Sequence, residues 1–420
     1  MIYLPVSHTP RFIGLPVLVD FGIVSTRRWL TDNLRQLTIN CKERIKLKAL
    51  IRNVLLSTGE LVPEVVLTHN GHTVYESSAR GLTTGSSEPS LAGSRDSEIA
   101  EKLAALDPET TTQEQFDSIV TEYGTNVATA ASLAYLRLRA ALKGLEVPEV
   151  LAEQGDGGQQ VICNVLNGSS HAGSGLAFCE NMILMPPGDF TDQIAGTSTV
   201  YLELRGIITE KYGASATSVG REGGFTPPIR QSREAMDLLN MAIEKSGVEC
   251  NIAIDVAANE FFRDGAYDID GQRLSSDELV AYYLKMVEDY PRIVYLEDPF
   301  HEDDSNGWSS FYAQKPARTM QVGDDLTSSQ APRVEQFAPV MDAVILKPNQ
   351  AHTLTGLIAA AHACKKHNLH SIMSQRSGET ESSLIIDLGI GLGSGFFKIG
   401  APARERIIKY NRLLRISQPA

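Results

Sequence analysis

The sequence predicts an α/β protein: a closed barrel that opens with two strands and two helices and continues in strand–helix repeats, preceded by a small α+β domain. Three observations carry this reading. Short apolar runs alternate with helix-like stretches from about residue 161 to the C-terminus. Several of those runs end in a charged or polar residue suited to chemistry. The first two, Val161 to Leu166 and Met182 to Met185, follow one another with no helix between them.

The runs are specific. Asn251-Ile252-Ala253-Ile254 ends at Asp255, Ile293-Val294-Tyr295-Leu296 at Glu297, and Met320-Gln321-Val322-Gly323 at Asp324. Ala343-Val344-Ile345-Leu346 ends at Lys347, Ser371-Ile372-Met373-Ser374 leads to Gln375 and Arg376, and Gly395-Phe396-Phe397 ends at Lys398. A charge at the tip of a buried strand does nothing for the core. In a closed parallel barrel all such tips gather on one face, where catalysis occurs. One site holding three carboxylates, two lysines and an arginine follows.

The elements read in order as follows. Residues 28–54 have Leu30, Leu34 and Leu37 at helix spacing. Glu64 to Thr68 and Thr73 to Tyr75 flank His69-Asn70-Gly71, a hairpin signal. Gly81 to Ser94 is rich in Gly, Ser and Thr and reads as a surface loop. Residues 95–153 read as helical, with breaks at Asp107-Pro108 and Pro148. The three glycines of Gln154 to Gln160 make a linker. After the two opening strands come helices at about 192–212 and 230–246, then the repeats. The expected divisions are a basic segment over 1–54, a small domain over 55–153 and the barrel over 161–420.

Composition narrows the function. Apolar residues are 42% and charged residues 21% of the chain, the balance of a water-soluble globular protein. A net charge of -13 disfavours nucleic acid as the main partner, because phosphate-backbone binding needs a basic surface. No run approaches the ~20 apolar residues that span a bilayer. Cys41, Cys163, Cys179, Cys250 and Cys364 are scattered and form no Cys-x-x-Cys pair, which suits burial in a reducing compartment. The expected location is the cytoplasm. The first 54 residues are Arg- and Lys-rich and acid-poor, as transit peptides are, but Pro5, Pro10 and Pro16 interrupt helix formation there. An extra segment packed on the surface or against a partner is the expectation.

Asp255, Glu297 and Asp324 end three consecutive strands, and hard oxygen donors without His or Cys suit Mg²⁺. Carboxylates also cap helices, but three on successive strands beside tip lysines favour a metal. Lys347 and Lys398 are expected as a base of depressed pKa and as a substrate-carboxylate ligand. Glu222 sits in a Gly-rich loop, Ser218 to Phe225, with Glu180 as a second carboxylate. Arg376-Ser377-Gly378 supplies a guanidinium, a hydroxyl and backbone N–H groups for a phosphate.

The segments NVLNGSSHAG, REGGFTPP, IAIDVAANEFF, YLEDPF, VGDDLT, ILKPNQ, RSGETE and KIGAPARERIIKYNRLLRI together resemble the enolase family, over roughly residues 60–420. The resemblance implies an enolase-type modified TIM barrel and a Mg²⁺-dependent phosphopyruvate hydratase, a carbon–oxygen lyase of glycolysis that converts 2-phosphoglycerate to phosphoenolpyruvate. Two Mg²⁺ ions per site are implied. Stabilising the enolate formed beside a carboxylate needs concentrated positive charge, which the metal ions and lysine supply. By matching position, Asp255, Glu297 and Asp324 would hold the first metal and Thr83 would fall in the metal-binding loop of the small domain. Lys347 would be the base, Glu222 with Glu180 would assist departure of hydroxide, and His171 would lie in a closing loop. Arg376 and Ser377 would hold the phosphate and Lys398 the carboxylate.

The chain departs from the family pattern at four places. Gln375 stands for His before the Arg-Ser pair, Thr83 for the loop Ser, and Arg221 for an acid beside Glu222. Ser57-Thr58-Gly59-Glu60-Leu61 lacks the arginine of a segment that contributes to the family's homodimer contact. Gln375 cannot titrate, so weaker substrate binding or slower turnover is expected. The alternative reading is a non-catalytic enolase-like protein with a structural or binding role.

Overall fold

The structure is a computed structural model that describes residues 47–81, 96–151, 159–168 and 175–418. Its first sheet is an antiparallel meander of β1 (Lys48–Leu55), β2 (Leu61–His69) and β3 (His72–Ser77). The Asn70-Gly71 hairpin is as expected: both residues have positive φ, 48° and 81°, the twist that a two-residue hairpin turn needs. β1 corrects the helix expected to run to residue 54. Leu47, Val65 and Leu67 are buried, and Ala49 and Ile51 pack against the same core, so period-two burial decides over local helix spacing. Residues 28–46 lie outside the described residues.

Helices α1 (Asp96–Ala104) and α3 (Thr125–Lys143) pack on this sheet, and α2 (Gln113–Val120) packs on α3. Asp107-Pro108 breaks the chain between the first two, as expected. Pro148 does not end a helix. The helix before it ends at Gly144 (φ 64°), and Pro148 lies in the first turn of α4 (Val147–Leu151), where its missing N–H costs nothing.

The barrel strands are β4 (Gln160–Asn167), β5 (Glu180–Leu184), β6 (Asn251–Asp255), then β10 (Ile293–Glu297), β11 (Met320–Gly323), β12 (Ala343–Leu346), β13 (His370–Ser374) and β14 (Phe396–Lys398). They close in that cyclic order. β5 runs antiparallel to β4 and β6, and every other pairing is parallel. Two long helices, α5 (Phe190–Tyr212) and α6 (Ser232–Ser246), separate β5 from β6, so the ββαα opening matches the sequence reading. Unforeseen from sequence was a small sheet of β7 (Phe262–Arg263), β8 (Ala266–Ile269) and β9 (Gln272–Leu274) after β6.

Alternation along each strand sorts the barrel into two layers. Ile162, Met182, Ala253, Tyr295, Val322, Ile345, Ile372 and Phe396 fill the interior. Their neighbours, such as Ile252, Ile254, Leu296, Val344 and Met373, face the surrounding helices. Trp308, 2% exposed, anchors that outer layer and packs edge-on to Phe300. Trp308→Ala is expected to cost about 3–5 kcal/mol in a denaturant titration, as large-to-small changes of buried aromatics do. A cost under about 1 kcal/mol would mean that the cavity collapses.

Among the described residues no helix is long and apolar enough to cross a membrane. Cys163, Cys179, Cys250 and Cys364 are buried, as expected, and burial pushes the Cys163 thiol up to about 12. Cys41 lies outside the described residues.

Candidate functional site

All of the described candidates meet where the parallel strands finish. Asp255, Glu297 and Lys398 are the last residues of β6, β10 and β14, and Asp324, Lys347 and Gln375 directly follow β11, β12 and β13. Glu180 joins them because β5 is reversed: its first residue lies at the end where its neighbours stop. In register, Glu180 pairs with Asp255 and Asp255 with Glu297. Three acids therefore stand side by side on adjacent strands.

Into this row comes Lys398. Its Nζ lies 2.8 Å from Asp255, 2.7 Å from Glu297 and 3.1 Å from Glu180. Glu297 is fully buried, and Tyr295 Oη donates to its second oxygen at 2.7 Å. Burial lifts the Glu297 carboxyl well above the usual range, with the Asp255 charge adding to it. Burial works to lower Lys398, but Asp255, Glu180 and Glu297 outweigh it and hold the ammonium well above its ordinary value.

The second half of the site is Asp324 with Lys347, whose Nζ donates to Asp324 Oδ2. The expected depression of the Lys347 pKa is not what this geometry gives. Burial pulls it down, but the Asp324 charge prevails and the net direction is up. Asp324 is itself lowered: burial would raise it, and the Lys347 and Lys398 cations overcome that. Gln350 Nε2 reaches Asp324 Oδ1 at 3.3 Å.

Asp298, Asp324 and Asp325 form a further acidic group, with carboxylate oxygens within 4.8 Å of one another. Asp298 has a bracing part in it. Its φ is 41°, and its two oxygens accept the N–H groups of Asp324 and Asp325 at 2.9 and 2.8 Å. That bracing fixes the backbone from which Asp324 and Asp325 leave.

Glu222 arrives on the Ser218 to Phe225 loop, which is tied to β4 by Phe225 N–H to Val165 O (2.8 Å) and Asn167 N–H to Phe225 O (2.9 Å). Gly223 has φ 83°, and a Cβ there would lie 2.9 Å from that of Ala401, so only glycine suits the turn. Gln375 does not stand free for substrate: its Nε2 donates to Glu222 Oε2 at 2.8 Å. Its side-chain Oε1 is buried without a hydrogen-bond partner. Arg221 is exposed while Glu222 is 4% exposed, so the reversed charge faces solvent.

Arg376 and Ser377 are 3% and 4% exposed. Glu379 accepts the Arg376 N–H at 2.9 Å and the buried Lys409 at 2.8 Å, and Arg376 Nη1 reaches Asn349 at 3.3 Å. The small domain closes this side. Arg80 and Gly378 exchange both backbone hydrogen bonds, at 2.9 and 2.8 Å, and any side chain at Gly81 would run into the Arg376 guanidinium. His171 and Thr83 lie outside the described residues.

The sequence reading missed Tyr295, Asp298, Asn349, Gln350, Glu379, Arg406 and Lys409. One signal was present: Tyr295 lies two residues before Glu297, so a strand puts both on the interior face.

The fold and the site define a barrel enzyme whose carboxylates and lysines converge where the parallel strands finish. The family described as Enolase, C-terminal TIM barrel domain, matches residues 160–419. The enolase of Methanocaldococcus jannaschii is 41% identical over 303 residues, 70% of this chain and 71% of that protein. The enolase of Aeropyrum pernix is 41% identical over 305 residues, 70% of each chain, and that of Sulfurisphaera tokodaii is 40% identical over 305 residues, 70% and 72%. The chain belongs to the enolase family. By homology it is a phosphopyruvate hydratase, a lyase of glycolysis, and its family is typically Mg²⁺-dependent.

Proposed function

We propose that this site converts 2-phosphoglycerate to phosphoenolpyruvate and back, with Lys347 as the base and Glu222 as the acid. The observation that carries the reading is the buried cluster itself: Glu180, Asp255 and Glu297 around Lys398, beside Asp324 on Lys347.

The donor set fits a divalent cation. Asp255, Glu297 and Asp324 offer only hard oxygens, and the Lys398 ammonium already occupies the position of positive charge among two of them. Mg²⁺ held there would supply positive charge, offsetting the Asp324 charge that keeps Lys347 protonated and stabilising the enolate beside the substrate carboxylate. Asp255, Glu297 and Asp324 stand together in the site beside both lysines, which supports a working site over a retired one.

The remaining roles follow from the chemistry of each group. Arg376 and Ser377 hold the phosphate, with Glu379 and Asn349 fixing the arginine. Lys398 serves the substrate carboxylate from within its acidic row. Glu222 protonates the departing hydroxide, with Glu180 assisting, and Gln375 orients its carboxyl. His171 and Thr83 complete the set as a closing-loop residue and a ligand of a second Mg²⁺. The protein works in the cytoplasm.

The test is Mg²⁺-dependent formation of phosphoenolpyruvate by purified protein. A folded protein without turnover would sink the reading. Gln375→His is expected to raise kcat by about tenfold, since an ionisable ring beside Glu222 restores acid–base capacity that an amide lacks. An unchanged rate would show that this position does not limit turnover.

A further inference from the structure

The loop that carries Glu222 is held by its backbone. Its four successive carbonyls, Gly220 to Gly223, each accept a hydrogen bond. The donors are Arg404 Nη1 (3.2 Å), Arg406 Nη2 (3.2 Å), the Ala401 N–H (2.9 Å) and Tyr201 Oη (2.8 Å). Three of the four come from the segment that follows β14.

Arg406 differs from the other donors. It is fully buried, and the same Nη2 that reaches Arg221 O also donates to Ser377 O at 2.9 Å. One nitrogen, with one hydrogen for each, thus joins the loop of Glu222 to the loop of Arg376 and Ser377. The rest of the group is poorly served. Nη1 has only Glu405 at 3.4 Å, and Nε has no hydrogen-bond partner. A buried guanidinium held this sparsely is a weak device for stability, since an apolar residue of similar volume would avoid its desolvation. Its two good hydrogen bonds go to the backbones of two loops that must act on one small substrate.

We infer that Arg406 is a positioning residue for the dehydration: through Nη2 it fixes the distance between the Glu222 carboxyl and the Arg376–Ser377 phosphate site. This rests on the roles proposed above. A phosphate anchored at one loop puts the breaking C–O bond in reach of Glu222 only if the two loops keep their spacing, and misplacement by about 1 Å costs on the order of 100-fold in rate. Arg406 touches no reacting atom.

The test is the kinetics of Arg406→Lys and Arg406→Gln, each in the native and the Glu222→Gln background. Lysine keeps the charge without the planar fork, and glutamine keeps a donor without the charge. In the native background kcat is expected to fall about 10–100-fold in both, with a much smaller change in KM. In the Glu222→Gln background the same substitutions are expected to cost no further activity, because the carboxyl they position is gone. The Mg²⁺-dependent rise in melting temperature persists, since the metal oxygens are untouched. Three outcomes overturn the inference: kcat within about twofold of native, equal losses in both backgrounds, or failure of both variants to fold, which would make Arg406 a stability residue. Inactivity of the native protein would instead reject the reading on which this rests.

Discussion

Replacing Lys347 with alanine is expected to lower kcat by about 10³–10⁴-fold, toward the upper end of what one acid–base group contributes. The ammonium is buried, stands at the tip of β12 and has Asp324 as its close partner. Its backbone N–H is fixed by Ser329 Oγ at 2.9 Å, so the side chain leaves from a set point. On the role proposed above, truncation removes the proton-exchanging group and leaves the strand intact. The check is turnover beside a melting curve. A loss below about tenfold in a folded variant would show that the proton goes elsewhere.

Chelation of Mg²⁺ is expected to have the other large effect. Native protein should melt at higher temperature with Mg²⁺ than with chelator, and its turnover should vanish with chelation. A ligand at 100 times its Kd adds about 2.7 kcal/mol to stability. The Asp255→Asn variant removes one hard oxygen charge from the row that holds Lys398 and should lose most of that rise. Unchanged melting with and without Mg²⁺ in the native protein would argue against a metal at Asp255, Glu297 and Asp324.

The strand tips were legible because parallel strands buried on both faces must be apolar along their length, so a terminal charge stands out. Asp255, Glu297, Lys347 and Lys398 were found that way. Glu180 and Glu222 were not distinguishable from solvated loop acids without the resemblance. Glu180 lies at the start of a strand that runs backwards, and only the register with Asp255 brings it in. The expected helix to residue 54 failed because pairing of Lys48–Leu55 with the next strand and burial of one of its faces are tertiary choices that local spacing does not record. The supporting shell was hidden for the same reason. Gln375 against Glu222 and Lys409 against Glu379 are separated by 153 and 30 residues. The direction of the Lys347 shift depends on one contact with Asp324, and no spacing rule gives it.

The paired backbone bonds between Arg80 and Gly378 make the two domains poor candidates for separate inheritance. A gene fragment encoding residues 160–419 alone would carry the catalytic strands but leave the Arg376 loop uncovered and two of its backbone groups without partners. Recombination that exchanged the small domain for an unrelated one would have to reproduce that short two-residue ladder and the bare backbone at Gly81. Cuts meant to preserve catalysis should therefore keep Arg80 and Gly378 in one folded unit.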